Sequence, residues 1–264
     1  MSTLQAFVLG LFQGVAEFLP ISSSGHLLVF KDLMGLAEVP ALFDVVLHVA
    51  TLFSILVVFR RRVFGIIRSI GRWMLRSADV SDAVNLAIVP PAIVATALTA
   101  IVGYAASKID LSAKPAVVAG LFIVTALILI GSSFPRGTDG YRDLRFRHGL
   151  ITGIAQGIGV FPGISRSGIT ISAGLAAGMK REEAGEFAFL LAIPAILGAL
   201  VLQIKDMGDL AASVAPLQLV TAALSAFLSG IAALMILLPI VRKGRLAWFA
   251  VYLIPAGILG LFIL

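Results

Sequence analysis

QGVAEFLPISSSGH, residues 13 to 26, and QGIGVFPGISRSGI, residues 156 to 169, are gap-free versions of one another, and how they are read decides the fold. Gln13 recurs as Gln156, Gly14 as Gly157, Ser22 as Ser165, Ser24 as Ser167 and Gly25 as Gly168, always 143 residues later. This is a duplication. Where the copies differ, the first carries Glu17, Ser23 and His26, and the second Val160, Arg166 and Ile169. One copy offers an acid, hydroxyls and an imidazole, and the other a fixed positive charge. Together they read as one composite site for an anionic group.

Around these motifs the chain is too apolar for a soluble domain of 264 residues, with 59% hydrophobic and 13% charged residues and a mean hydropathy of +1.07. It reads as an integral membrane protein. The absence of cysteine excludes disulfides, thiolate metal sites and a cysteine nucleophile. The first residues, MSTLQAFVLGLFQG, lack a basic segment before the apolar run, so they are expected to belong to the mature fold and not to a signal peptide.

Six apolar segments, at about 43–59, 84–104, 115–133, 184–204, 217–241 and 246–264, approach the ~17–25 residues of a spanning helix. The net charge of +6 is distributed between them. Arg60, Arg61, Arg62, Arg68, Arg72 and Arg76 occupy one loop, and Arg136, Arg142, Arg145 and Arg147 a second. Lys180 with Arg181, and Arg242 with Lys243 and Arg245, mark two further turns. Lys31, Lys108, Lys114 and Lys205 fall on the other side, so the basic loops are expected to face the cytoplasm. That pattern explains the charge as a topology signal and leaves no nucleic-acid partner to invoke. A polybasic lipid or nucleic-acid site at 60–76 is the sharper but less economical reading, set against plain topology signalling.

The motif regions do not read as ordinary spans. Residues 4–19 are broken by Pro20 and a Ser-Ser-Ser-Gly turn before 27–36, and residues 149–161 by Pro162-Gly163 before 164–179. Short Gly/Pro-interrupted segments at matching places in two halves predict re-entrant hairpins around a central site. Each hairpin precedes three spans, an odd number, so the second copy must enter from the opposite face. The expectation is therefore an all-α, polytopic single transmembrane domain over 1–264. It has six spanning helices and two re-entrant hairpins, in an inverted-topology repeat of about 4–133 and 149–264.

Gln13 and Glu17, four apart, share a helix face. Ser22, Ser23, Ser24 and Gly25 form a turn that suits phosphate, and His26 lies three beyond Ser23. Carboxylate, imidazole and hydroxyl together resemble an activated serine nucleophile. The plainer reading is that the Ser/Gly run packs helices closely and that Glu17 and His26 satisfy each other. Ionisable residues at membrane depth, however, are costly and usually functional. Arg166 presents forked donors for phosphate oxygens, with Ser165, Ser167 and Thr170 as neighbouring hydroxyls; the alternative is that it snorkels or pairs with Glu17. Asp44 and His48, four apart, either extend the site or form a structural pair. Glu186 reads as a helix-start acid, and His148, in a basic loop, as solvated.

The motifs Q-x-x-x-E-F-L-P-x-S-S-x-G-H at Gln13–His26, P-G-x-S-R-S-G-x-T at Pro162–Thr170 and E-F-x-F-L-L-x-x-P at Glu186–Pro194 resemble those of the undecaprenyl-diphosphate phosphatases, also called bacitracin-resistance proteins. The resemblance implies a hydrolase of the bacterial inner membrane that removes the terminal phosphate of undecaprenyl diphosphate at the periplasmic side. The product, undecaprenyl phosphate, returns as lipid carrier to peptidoglycan synthesis. The resemblance also implies that Glu17, Ser23, His26 and Arg166 are catalytic. Gln13, Ser22, Ser24, Gly25, Ser165, Ser167 and Thr170 would then lie on the phosphate side.

That family has glutamate or glutamine at the position of Gln13. The neutral form here leaves Glu17 as the one carboxylate for Mg²⁺ or Ca²⁺. In the expected mechanism Ser23 attacks phosphorus with His26 as its base. The partners are a polyprenyl diphosphate and membrane lipids, and a homodimer stays open. The alternative is a carrier for a polyprenyl phosphate, which needs Arg166 but no nucleophile beside a base.

Overall fold

A computed structural model describes all residues except 37–38, 110, 112–113, 136, 204–212 and 264, and the side chains of 32–33, 41 and 263. The expectations for Arg136 and Lys205, and for the ends of the segments at 204 and 264, lie outside the described residues.

Eleven α-helices make up most of the described chain: α1 Thr3–Phe18, α2 Ser23–Leu33, α3 Ala41–Val58, α4 Arg60–Met74, α5 Ala83–Ala106, α6 Pro115–Gly131, α7 Phe146–Ile158, α8 Arg166–Ala176, α9 Arg181–Gln203, α10 Pro216–Arg242 and α11 Ala250–Ile263. Three apolar helices are long enough to cross a bilayer: Val80–Ala106, Arg181–Gln203 and Pro216–Arg242. They cover the expected segments 84–104, 184–204 and 217–241. The other three expected segments fall on shorter helices. Leu42–Val58 qualifies only together with Arg60–Met74, to which it is bent by 81°, and Pro115–Gly131 and Leu246–Phe262 are 17 residues or fewer. The protein is a multi-pass, all-helical membrane protein.

The bend places the arginine-rich α4 across the end of α3. One edge of α4 is docked by polar contacts: Arg62 pairs with Glu186 and donates to Asn85 at 3.2 Å, Ser69 donates to Asp82 at 2.8 Å, and Arg72 pairs with Asp79 at 2.6 Å. Arg60, Arg61 and Arg68 remain exposed beside Phe64 and Ile67.

The duplicated glycines show how the halves pack. A methyl on Gly10 or Gly14 of α1 would strike Ala222, Ser225, Ala226 and Ser229 of α10, and one on Gly153 or Gly157 of α7 would strike Ala95 and Val102 of α5. Gly153 and Gly157 stand 143 residues after Gly10 and Gly14. The first helix of each copy thus lies backbone-close on a long helix of the other half, an approach that only small residues allow. Helix α6 packs on α11, and α3 on α9.

The helices also fix two ends. Helix α10, 27 residues or roughly 40 Å at 1.5 Å per residue, begins beside Met1, whose carbonyl accepts from Gln218. It finishes with Arg242 paired to Glu182 at 2.6 Å. At that second end Asp139 bridges to Met179 and pairs with Arg147, and Arg62 lies over the Tyr141 ring at 4.6 Å. The four basic turns therefore gather at one end, and the N-terminus lies at the other. Helix α1 starts near Met1, and α7 starts at Phe146 beside the basic turns.

His148 corrects an expectation. It is fully buried in the first turn of α7 and not solvated. Its Nδ1 accepts from the Arg145 amide at 2.9 Å, and its Nε2 meets Asp139 Oδ2 at 3.2 Å. Both ring nitrogens are satisfied, which is what permits burial. Asp139 is held below the ordinary carboxyl range, chiefly by the hydrogen bond from Arg147. Glu186 lies one turn beyond the start of α9, where Glu182 and Glu183 occupy the first turn, and its partner is Arg62.

Candidate active site

The two copied turns meet inside the helical bundle. In the first, α1 ends at Phe18, Pro20 prevents continuation, and Ser22 takes a left-handed backbone conformation with φ of 68°. Such a conformation is costly for a residue with a Cβ. It is held because Ser22 Oγ accepts the backbone N–H of Gly163 at 3.0 Å. In the second, Gly163 supplies the left-handed position, φ 95°, and Ser165 caps α8 by accepting from the Gly168 amide at 3.1 Å. Thr125 of α6 fixes this turn from behind, donating to Gly163 O at 2.8 Å and accepting from Ser165 N at 3.1 Å.

Glu17 lies at the centre of the junction, its side chain 4% exposed. Its carboxylate accepts from Ser23 Oγ at 2.8 Å and from Gln13 Nε2 at 3.0 Å. It also pairs with the Arg166 guanidinium and faces His48 Nε2 at 3.2 Å. A carboxylate so deep is tolerable only because it is paired and hydrogen-bonded. The cluster draws on α1, α2, α3 and α8, from sequence positions as far apart as 13 and 166. Beside it, Glu17, Gln156, Arg166 and Ser167 line a small cavity closed by Phe18, Ala188, Phe189 and Ala192.

The structure therefore brings Gln13, Glu17, Ser23, Arg166 and Ser167 together. Ser22 ties the turns. Gly25 has no room for a side chain, since a Cβ would meet the Phe122 ring and the Gly163 amide. Ser24 is exposed, Ser165 is engaged in capping α8, and Thr170 donates to Arg166 O at 2.7 Å.

The pairing of Ser23 with His26 is not what the structure shows. Ser23 Oγ–H is directed to Glu17, whereas His26 turns back over the preceding turn. Its Nδ1 lies 2.9 Å from Ser22 O and its Nε2 2.7 Å from Tyr252 Oη. Nor do Glu17 and His26 satisfy each other. The Asp44 carboxylate pairs with Lys31 at 2.7 Å, while His48 meets the Asp44 backbone carbonyl through Nδ1 at 2.7 Å and reaches Glu17 through Nε2. Residue spacing alone missed Tyr252 and Thr125, which lie on the final helices of the two halves with no polar motif around them.

Chemically, the junction offers a hydroxyl hydrogen-bonded to a base, a guanidinium with donors suited to phosphoryl oxygens, and carboxamide and hydroxyl neighbours. This combination suits phosphoryl transfer. Comparison with known proteins points the same way. A protein of Treponema denticola named undecaprenyl-diphosphatase is 46% identical over 98% of this chain and 96% of its own length. Proteins of the same name from Carboxydothermus hydrogenoformans and Korarchaeum cryptofilum are 38% and 37% identical, each over 98% of this chain and at least 96% of their own. Residues 6–259 match the family described as bacitracin resistance protein BacA, and with likeness extending over nearly its whole length the chain belongs to that family.

Proposed function

We propose that this protein is an integral membrane phosphatase that hydrolyses undecaprenyl diphosphate to undecaprenyl phosphate and inorganic phosphate, renewing the lipid carrier for cell-wall synthesis and conferring bacitracin resistance. The observation that carries the reading is the buried junction of Glu17, Ser23 and Arg166, which has no structural purpose that an apolar contact would not serve at lower cost. Ser23 Oγ attacks the terminal phosphorus and its proton passes to Glu17 Oε2, to which it is already hydrogen-bonded. The bond from phosphorus to the bridging oxygen breaks, and undecaprenyl phosphate leaves. Arg166, sharing its forked donors between Glu17 and the phosphoryl oxygens, neutralises the charge in transfer. Water then attacks the phosphoserine, and the proton on Glu17 returns to Ser23. His26, on the same helix as Ser23 but engaged by Ser22 O and Tyr252 Oη, is the second acid–base group of this reading.

A divalent cation such as Mg²⁺ or Ca²⁺ would find hard oxygen donors in Glu17 and in Gln13 Oε1, which is buried without a partner. Among the described residues no cluster of three or more His, Cys, Asp or Glu could hold a metal ion, so phosphate and water oxygens would have to complete the shell. Such an ion would supply charge neutralisation at the phosphates.

In this reading the hairpins are re-entrant and the halves form an inverted-topology repeat in the bacterial inner membrane. Six segments span, and the site opens to the periplasmic side. The gathering of basic turns at one end and the starts of α1 near Met1 and of α7 beside those turns support it. All reacting groups come from one chain, so a homodimer would be an assembly of complete sites. The test is phosphate release from a polyprenyl diphosphate by the purified protein, with and without chelator. A carrier would release none.

A further inference from the structure

The groups around His26 come from both halves of the molecule. Its ring stacks on Phe122 of α6 with centroids 4.6 Å apart and on Tyr252 of α11 at 5.6 Å, and Phe12 of α1 lies at 5.5 Å. Phe122 lies stacked on the ring and Phe12 approaches it tilted, and neither offers a hydrogen bond. Its rotation is therefore set by the two nitrogens. Nδ1 faces the Ser22 carbonyl, which can only accept, so Nδ1 carries a proton. Nε2 of the neutral ring then accepts from the Tyr252 hydroxyl at 2.7 Å.

We infer that Tyr252 is a positioning residue for His26: its hydroxyl holds the imidazole in the Nδ1–H tautomer and in one orientation through the catalytic cycle. A tyrosine hydroxyl suits this purpose because it donates to the neutral imidazole and accepts from the imidazolium. The ring thus keeps its place when it gains or loses a proton. Phenylalanine would preserve the stacking and lose both bonds. Asparagine or glutamine on α11 could bond the ring but not stack on it. The inference rests on the proposed phosphatase reading for its kinetic consequence, but not for its structural one.

Tyr252→Phe isolates the hydroxyl, and because the side chain is about half exposed at 48% the substitution should leave the fold intact. The first readout needs no activity. Nitrogen NMR of the three histidines, with His26 assigned by its loss in His26→Ala, should show a single Nδ1–H tautomer in the parent protein and a mixture in Tyr252→Phe. An unchanged tautomer in the variant overturns the inference.

The second readout is kinetic. Losing one hydrogen bond of this kind should lower kcat about tenfold with KM unchanged, and Tyr252→Phe should add nothing further in the His26→Ala background. Losses that multiply in the double variant, or a change in KM alone, place Tyr252 on the substrate and not behind His26, and also overturn the inference. If the parent protein releases no phosphate, the phosphatase reading fails while the tautomer measurement still decides the role of Tyr252.

Discussion

Ser22 Oγ accepts the backbone N–H of Gly163 at 3.0 Å, although the equivalent of Ser22 in the second copy is Ser165. The counterpart of Gly163 in the first copy is Pro20, which has no N–H to give, so this bond has no mate and the site the copies build is asymmetric. The strained Ser22 turn leads into Ser23 at the start of α2, and the Gly163 turn leads into Arg166 at the start of α8. The bond sets Ser23 and Arg166 against different oxygens of the Glu17 carboxylate, Oε2 and Oε1.

Arg166→Lys keeps the charge and should lose about a hundredfold in phosphate release, because an ammonium cannot bridge Glu17 and two phosphoryl oxygens with one fixed fork. Activity within threefold of the parent would make Arg166 a distant electrostatic residue.

Ser23→Ala and Glu17→Gln should each abolish turnover, and the double variant should be no slower than either, since nucleophile and base fail as a unit. Rapid acid quench with label in the terminal phosphate should trap label on Ser23. No trapped label, together with substantial turnover in Ser23→Ala, would mean that water attacks directly.

Gly14→Val should destabilise the detergent-solubilised protein by about 1–3 kcal/mol through overpacking against Ala226 and Ser229. Gly120→Val, where an added Cβ meets nothing within 4 Å, serves as the control. Equal melting temperatures for the two variants would refute the close approach of α1 and α10.

Asp139→Asn tests the basic end. The folded-state pKa of Asp139 is lowered, so the stabilisation it contributes is fully present above the ordinary carboxyl value of about 3.9 and fades as the pH falls through its lower folded value. The variant should melt below the parent at pH 6 and approach it in strong acid. A gap that stays constant from pH 6 to pH 2 would show that ionisation of Asp139 is irrelevant.

Ser77 and Ser107 are both exposed, at opposite ends of the helical bundle. In this cysteine-free chain, Ser107→Cys should react with an impermeant thiol reagent in intact cells and Ser77→Cys only after lysis. The reverse pattern would invert the orientation.

The sequence alone determined that the chain is helical and membrane-embedded, that one motif occurs twice at a constant offset, and that Glu17, Ser23 and Arg166 belong to the polar junction. Composition and the constant offset of 143 suffice for that, because bilayer solvation and duplication both leave periodic, local marks. Only the tertiary structure decided which group each polar residue touches. His26 and Ser23 are three apart on α2, yet their partners are Tyr252 and Glu17. The bend after Val58 and the burial of His148 were also invisible, since each depends on contacts to helices distant in sequence. Spacing specifies which residues share a face. Which face meets which is settled by the glycine contacts that let α1 lie on α10 and α7 on α5, and by the cost of leaving a buried charge unpaired.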